Sequence, residues 1–280
     1  MKPSWLKIKP PTNEFSNVKD VLKNHKLYTV CQGAHCPNMS ECWSAGTATF
    51  MVMGETCTRF CKFCQVKHGT PDDLDSNEPK NLAKAVKKMK LKYTVITSVD
   101  RDDLEDFGAS HIASCIKYLK EIRKMKVEAL IPDFQGNIEC LKKIINANPD
   151  VIGHNIEVVK RLQDTARDIR ASYDQSMELL KNVKKFSKNI YTKSSIMIGL
   201  GETKEEVLEV MKDLRKNKVD MLTIGQYLQP SSKNLNVVKY INPEKFKYYE
   251  KKAYKLGFMF CASGPFVRSS YKAHEWVKKI

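Results

Sequence analysis

Residues 57–64 read CTRFCKFC, which places Cys57, Cys61 and Cys64 at a C-x3-C-x2-C spacing. Iron–sulfur clusters are normally held by four thiolates. Three can take three corners of a cubane cluster and leave one iron open to chelate a small molecule. The competing reading is zinc, completed by His68 or a distant residue. Zinc motifs usually pair close cysteines, so a triplet directly after an apolar strand favours the open cluster. Upstream, Cys31, Cys36 and Cys42 form a second triplet, C-x4-C-x5-C, again one ligand short. Two incomplete triplets do not reduce to one zinc site with spare thiols. His35 lies inside the second triplet, which is complete as a cysteine set without it. Cys115, Cys140 and Cys261 stand in apolar patterns and are expected as core residues.

These residues need a scaffold. A chain of 280 residues, 42% hydrophobic and 29% charged, suits a globular fold with a substantial core. No apolar run is long enough to cross a bilayer. The opening MKPSWLKIKPP lacks the apolar stretch of a secretory signal and the arginine and serine of a transit peptide, so a cytoplasmic protein is expected. Nine cysteines in such a chain argue for metal or redox chemistry over a disulfide framework. The net charge is +16, carried by 40 lysines against 8 arginines. That balance fits solvated lysine-rich helices as well as an acidic partner. The arginines are more selective, because a planar fork is needed only in places. Arg59, Arg101, Arg167, Arg170 and Arg268 all fall in segments notable on other grounds.

From residue 49 onward, apolar runs alternate with amphipathic stretches. Strands are expected at TFMVM, YTVITS, VEALI, DVIGH, SSIMIG, DMLTIG and FMFCA. Helical spacing links Leu82, Ala85, Val86 and Met89; Ile112, Cys115, Ile116 and Leu119; and Val207, Val210, Met211 and Leu214. PEKFKYYEKKAYKLG opens on proline and closes on glycine, as helices do. Six or seven such units are too few for an eight-fold barrel. An open, partial (β/α)6-type barrel is expected, with a doubly wound sheet as the alternative. HGTPDDLDSNEPKN reads as a loop leading into the first of these helices. CQGAHCPNMSECW lies outside the rhythm and reads as a loop wrapped around ligands. The expected organisation is an extension over 1–48, a barrel over 49–262 and a C-terminal segment over 263–280.

Polar residues follow the strand ends in phase. The cysteines follow the first strand, and Ser98, Asp100 and Arg101 the second. Asp133 follows the third, Asn155 and Glu157 the fourth, Gly201 and Glu202 the fifth, Gln226 and Tyr227 the sixth. In barrel enzymes that face carries the active site. GLGE after the fifth strand lacks the lysine and serine of a phosphate loop. His111 heads a helix and is expected to be structural or solvated, whereas His154, at a strand end, is placed for the pocket.

CTRFCKFC on the first strand of a partial barrel resembles the radical S-adenosylmethionine superfamily. With TVCQGAHCPNMSECW, VITSVDRDDL, LIPDFQG, HNIE, RDIRASYDQS, GLGET, LTIGQYLQPS and RSSY, the likeness extends over nearly the whole chain to the lipoyl synthase family. The resemblance implies two 4Fe-4S clusters and S-adenosylmethionine, whose methionine moiety is chelated by the open iron and cleaved on one-electron reduction. It implies insertion of sulfur into an octanoyl group on a lipoyl carrier domain, of a 2-oxoacid dehydrogenase or the glycine cleavage H protein. It implies an electron donor such as flavodoxin or ferredoxin. The second cluster is then the sulfur source, completed by a serine of RSSY, Ser270, with Ser269 as the alternative. That makes Cys36 and Ser270 catalytic as well as ligating. Phe63, Asn155, Glu157, Arg170, Gly199, Gly201, Glu202, Gln226 and Tyr227 become the cofactor-pocket residues. Two positions depart from the family pattern. Phe107 stands where a glycine is usual, and Val158 where a threonine is.

Another sulfur-inserting enzyme of the superfamily, such as a tRNA methylthiotransferase, would use the basic charge on RNA phosphates. A non-catalytic, metal-stabilised nucleic-acid-binding protein would explain cysteines and charge but not the phase of the strand-end residues. No RNA-binding module signature is present, so neither a nucleic-acid nor a membrane partner is expected.

Overall fold

Seven parallel strands follow one another in space in the order they occur in the chain. They are β2 (Thr49–Val52), β3 (Tyr93–Ser98), β4 (Lys126–Leu130), β5 (Val151–Gly153), β6 (Tyr191–Ile198), β7 (Met221–Gln226) and β8 (Phe260–Gly264). A two-residue strand, β1 (Tyr28–Thr29), adds antiparallel to the outer edge of β2. The computed structural model describes residues 3–6, 13–44, 48–271 and 273; positions 274–280 of the expected C-terminal segment lie outside them. A doubly wound sheet would reverse its strand order partway. Here the order never reverses, and β1 and β8 end the sheet without pairing to each other. The architecture is therefore an open, partial (β/α) barrel.

The crossovers are helical. Between β2 and β8 run α4 (Glu78–Lys88), α5 (Ala109–Lys120), α6 (Ile138–Asn146), α7 (Tyr173–Phe186), α8 (Lys204–Lys216) and α9 (Pro243–Leu256). Local sequence fixes their ends. Ser172 caps α7 by accepting from the Gln175 N–H, and Thr203 and Glu206 form a reciprocal capping box on α8. Gly257 ends α9 at φ 91°, a left-handed conformation that glycine adopts at little cost. One face of each helix is apolar and packs on the sheet. Leu82, Ala85 and Val86 of α4, and Ile112, Cys115 and Ile116 of α5, are almost wholly buried. Cys140 and Cys261 are likewise core residues.

Upstream of β2 lie α1 (Asn13–Asn24), α2 (Val30–Gly33) and α3 (Met39–Ser44). Val18, Val21 and Leu22 of α1 and Trp43 of α3 join the core formed by β2–β5 and their helices. The extension therefore shares the barrel's core. Two of the second triplet's cysteines, Cys31 and Cys42, sit on two short helices where a loop was expected, and Cys36 lies between them. At four and six residues they are too short to show a period, and only Thr29, which caps α2 by accepting from the Gln32 N–H, marks them. Strand limits move from those expected by up to three residues, and β1 was not expected at all.

Candidate functional site

The parallel strands end on a cavity of about 600 Å³. Each strand end contributes to its lining. Cys57, Cys61 and Cys64 follow β2; Ser98 and Asp100 belong to the end of β3; Asp133 follows β4; Asn155 and Glu157 follow β5; Gln226 and Tyr227 lie at the end of β7. Cys31, Cys36 and Ser270 line the same cavity from the other side. A smaller adjoining space of about 60 Å³ is shared by Cys31, Cys36, Cys42, Arg268 and Ser270. The first triplet and two cysteines of the second therefore open toward one volume, and Cys42 faces the space beside it.

The loop carrying the first triplet is held by charge. Arg59, 4% exposed, points into the barrel mouth and grips both oxygens of Asp133 at 2.8 and 2.7 Å. The same guanidinium donates to both oxygens of Asp102 at 2.9 and 2.8 Å. Burial opposes ionisation of Asp102, yet hydrogen bonds from Arg59 and Gln135 hold it at about 2. Asp100 fares differently: burial raises it to about 6, against the pull of Arg59. Farther along the loop, the Phe60 N–H donates to Asp168 at 2.7 Å, and Arg170 donates to the Thr58 carbonyl at 2.7 Å. Arg170 also binds Asp168 at 2.8 Å and, by that bond above all, lowers its carboxyl. The segment after β7 closes the last side, since the Asn234 amide donates to the Cys64 carbonyl at 2.8 Å.

All nine cysteines are free thiols. Burial pushes Cys57, Cys61 and Cys64 up to about 12, and Cys31 to about 11. A metal centre binding here must displace their protons. Backbone amides already point at the sulfurs. Arg59 and Asp100 N–H donate to Cys57 Sγ at 3.4 and 3.3 Å, and Asp168 N–H to Cys61 Sγ at 3.4 Å. Such donors are among the features that tune iron–sulfur clusters. Around one zinc ion, thiolates at about 2.3 Å would stand roughly 4 Å apart. Neither triplet gathers its sulfurs that tightly. Among the described residues, three such ligand atoms lie within 4.8 Å of one another only in the group Glu78, His111 and Cys115. There the carboxylate already binds the His111 ring at 2.6 Å and accepts from Met53 N–H at 2.9 Å. His111 is structural. The triplets, with wide sulfur spacing, amide donors and a shared cavity, fit clusters.

The second triplet is assembled from both ends of the chain. After β8, the C-terminal segment returns to β2, where the Thr49 hydroxyl donates to Ser270 Oγ at 2.8 Å. The Asn38 amide, between Cys36 and Cys42, donates to the Phe266 carbonyl at 2.6 Å. Gly225 lets the segment pass, because a Cβ there would collide with the Val267 carbonyl oxygen. Arg268 is turned to the cavity, with its guanidinium on the Val267 carbonyl at 2.7 Å and its charge felt at Cys36.

The expected cofactor residues divide. Phe63, Asn155, Glu157, Gln226 and Tyr227 line the cavity. Glu157, at φ 66°, accepts from the Asn155 amide at 3.0 Å. The Gln226 side chain bonds the Lys239 carbonyl and the Ile241 N–H, and the Tyr227 hydroxyl bonds the Leu235 carbonyl, so both also brace the loop after β7. Gly199, Gly201, Glu202 and Arg170 do not line the cavity. The Glu202 carboxylate closes on the Gly199 and Leu200 N–H groups at 2.7 and 2.9 Å, while the Gly199 carbonyl accepts from the Val238 N–H at 2.9 Å, so GLGE is a turn braced against the loop after β7. His154 is buried, its ring between the Ile131 carbonyl and the Ser176 hydroxyl. Val158 packs with Ala166, Leu200 and Tyr227, and Phe107 adopts φ 54°, the region in which the usual glycine would be unstrained. Thr49, Asp102, Asp168 and Asn234 escaped the sequence reading, because nothing local to them signals what they touch.

Residues 51–214 match the family model described as the radical SAM superfamily. The chain is 52% identical to a lipoyl synthase of Laribacter hongkongensis, covering all of this chain and 89% of that one. It is 50% identical to an apicoplast lipoyl synthase of Plasmodium knowlesi over 99% of its own length, and spans 64% of that relative. In fold it resembles Streptococcus suis SuiB, solved with S-adenosylmethionine, at a TM-score of 0.60 and 10% identity, over 81% of this chain and 54% of that one.

Proposed function

Because this chain belongs to the lipoyl synthases of the radical SAM superfamily, we propose that it inserts two sulfur atoms, at C6 and C8, into an octanoyl chain carried on a lysine of a lipoyl carrier domain. The superfamily implies a 4Fe-4S cluster and S-adenosylmethionine; a second 4Fe-4S cluster at Cys31, Cys36, Cys42 and Ser270 is part of the proposal. When bound, these groups supply one-electron cleavage, hydrogen abstraction and sulfur. The observation that carries the reading is the cavity onto which Cys57, Cys61 and Cys64 open together with Cys31, Cys36 and Ser270, with Cys42 in the small space that adjoins it.

The chain's own contribution is position. Cys57, Cys61 and Cys64 hold the first cluster in a loop pinned by Arg59, Asp168 and Arg170. Asn155, Glu157, Gln226, Tyr227 and Phe63 form the wall available to the cofactor, with Gly199, Gly201 and Glu202 shaping it from behind. Cys31, Cys36 and Cys42 hold the second cluster, and Ser270 offers a hard oxygen, a weaker partner for iron in a sulfur-rich site than a thiolate. Residues 1–48 act as the cluster-bearing extension, 49–262 as the barrel and 263–280 as its cap. An acidic carrier domain suits the basic chain, with flavodoxin or ferredoxin as reductant. Among the described residues no helix is long and apolar enough to cross a membrane.

The test is anaerobic reconstitution with an octanoyl-lysine peptide. About eight irons and eight sulfides per chain are expected. Cys61→Ala abolishes formation of 5′-deoxyadenosine. Cys36→Ala keeps it and makes no thiolated peptide. Zinc without sulfide, or lipoyl product from Cys36→Ala, overturns the reading.

A further inference from the structure

Thr49 touches the second site through its side chain. It is the first residue of β2 and only 6% exposed. Its hydroxyl lies 2.8 Å from Ser270 Oγ, 221 residues away in sequence. The strand fixes the residue that carries this donor, since β2 is paired on both edges, with β1 and β3. Ser270 has no such frame. It lies outside the strands, in turns that follow β8.

We propose that Thr49 is a positioning residue for the second cluster, orienting Ser270 Oγ toward iron by donating a hydrogen bond to it. The inference rests on Ser270 being a ligand of that cluster. Bound to iron as an alkoxide, the Ser270 oxygen would have no proton to offer, so Thr49 would be the donor in the loaded protein. Its hydrogen bond selects one of the three staggered serine rotamers and stabilises the negative charge on the bound oxygen. Without it the Ser270 oxygen would be free to rotate away from the position in which it would hold the cluster.

The readout is iron loss to a chelator from the fully loaded protein, followed without turnover. Loss should occur in two phases, and the phase altered by Ser270→Ala belongs to the second cluster. Thr49→Val, which keeps the shape and removes the donor, should speed that phase roughly tenfold and leave the other unchanged. Thr49→Ser should behave as wild type. Thr49→Val added to Ser270→Ala should have no further effect. Thr49→Ala carries the same expectation if valine disturbs the strand, as thermal unfolding of the cluster-free protein would reveal. If Ser270→Ala alters a phase and neither donor-free variant does, the role of Thr49 is wrong and Ser270 stands. An effect that persists without Ser270 also overturns it. If Ser270→Ala alters no phase, the ligand assignment falls, and the role of Thr49 with it.

Discussion

Arg59 and Asp133 meet fork to fork, at 2.8 and 2.7 Å, with the carboxylate side chain wholly buried. Arg59 lies between the first and second cysteines of the triplet, and Asp133 follows the third parallel strand. The pair thus ties the cluster loop to the barrel wall. Asp102 binds the same guanidinium and brings in the loop after β3.

Removing the arginine should leave the buried Asp133 carboxylate without its bidentate partner, with Arg167 at 4.0 Å as its remaining cation. Arg59→Leu is expected to lower stability by about 3–5 kcal/mol, measured by urea unfolding of the cluster-free protein. Adding Asp133→Asn should recover part of the loss, because one of the two carboxylates that lost Arg59 is then neutral. Equal stabilities of the single and double variants would contradict this.

His154 should make the cluster-free protein acid-sensitive. Burial, helped by the Arg167 charge, holds its imidazole down at about 4. Its folded value therefore lies below the unfolded one near 6.5. The stability it contributes is complete above pH 6.5 and is lost as pH falls toward 4, about 3 kcal/mol in all. His154→Gln should show a smaller loss than wild type over this window. Comparing the two also cancels the opposite drift from Asp100, whose raised carboxyl favours the folded state as it protonates.

Gly225→Ala should act at a distance. The added methyl meets the Val267 carbonyl, three residues before Ser270. Overpacking of this kind costs about 1–3 kcal/mol. The C-terminal segment must shift, so iron should be lost from the second site while the first cluster still cleaves S-adenosylmethionine. Full iron content and wild-type product from this variant would show that the segment adapts.

If the basic surface steers an acidic carrier domain, apparent affinity for the intact domain should fall steeply with added salt. Turnover of a short neutral octanoyl-lysine peptide should hardly change. Equal salt sensitivity of both substrates would reduce the excess of lysine to composition.

Both cysteine triplets, the repeated strand–helix units and the phase of polar residues at strand ends were determined by the sequence itself. Each is a short-range property. Ligand spacing is counted along a few residues, and helix and strand periods repeat within one element. The parallel strands of a barrel then carry their ends to one face, which is why Cys57, Asp100, Asp133, Asn155 and Gln226 meet at one cavity. Tertiary structure alone decided what crosses that face. It set Arg59 on Asp133, laid Ser270 against Thr49, and turned Glu202 back on its own loop. It also chose the open barrel over the doubly wound sheet, since periodicity is the same in both. The contacts between distant segments follow from the direction in which the sheet winds and from where its loops close. Neither is written in the spacing of neighbouring residues.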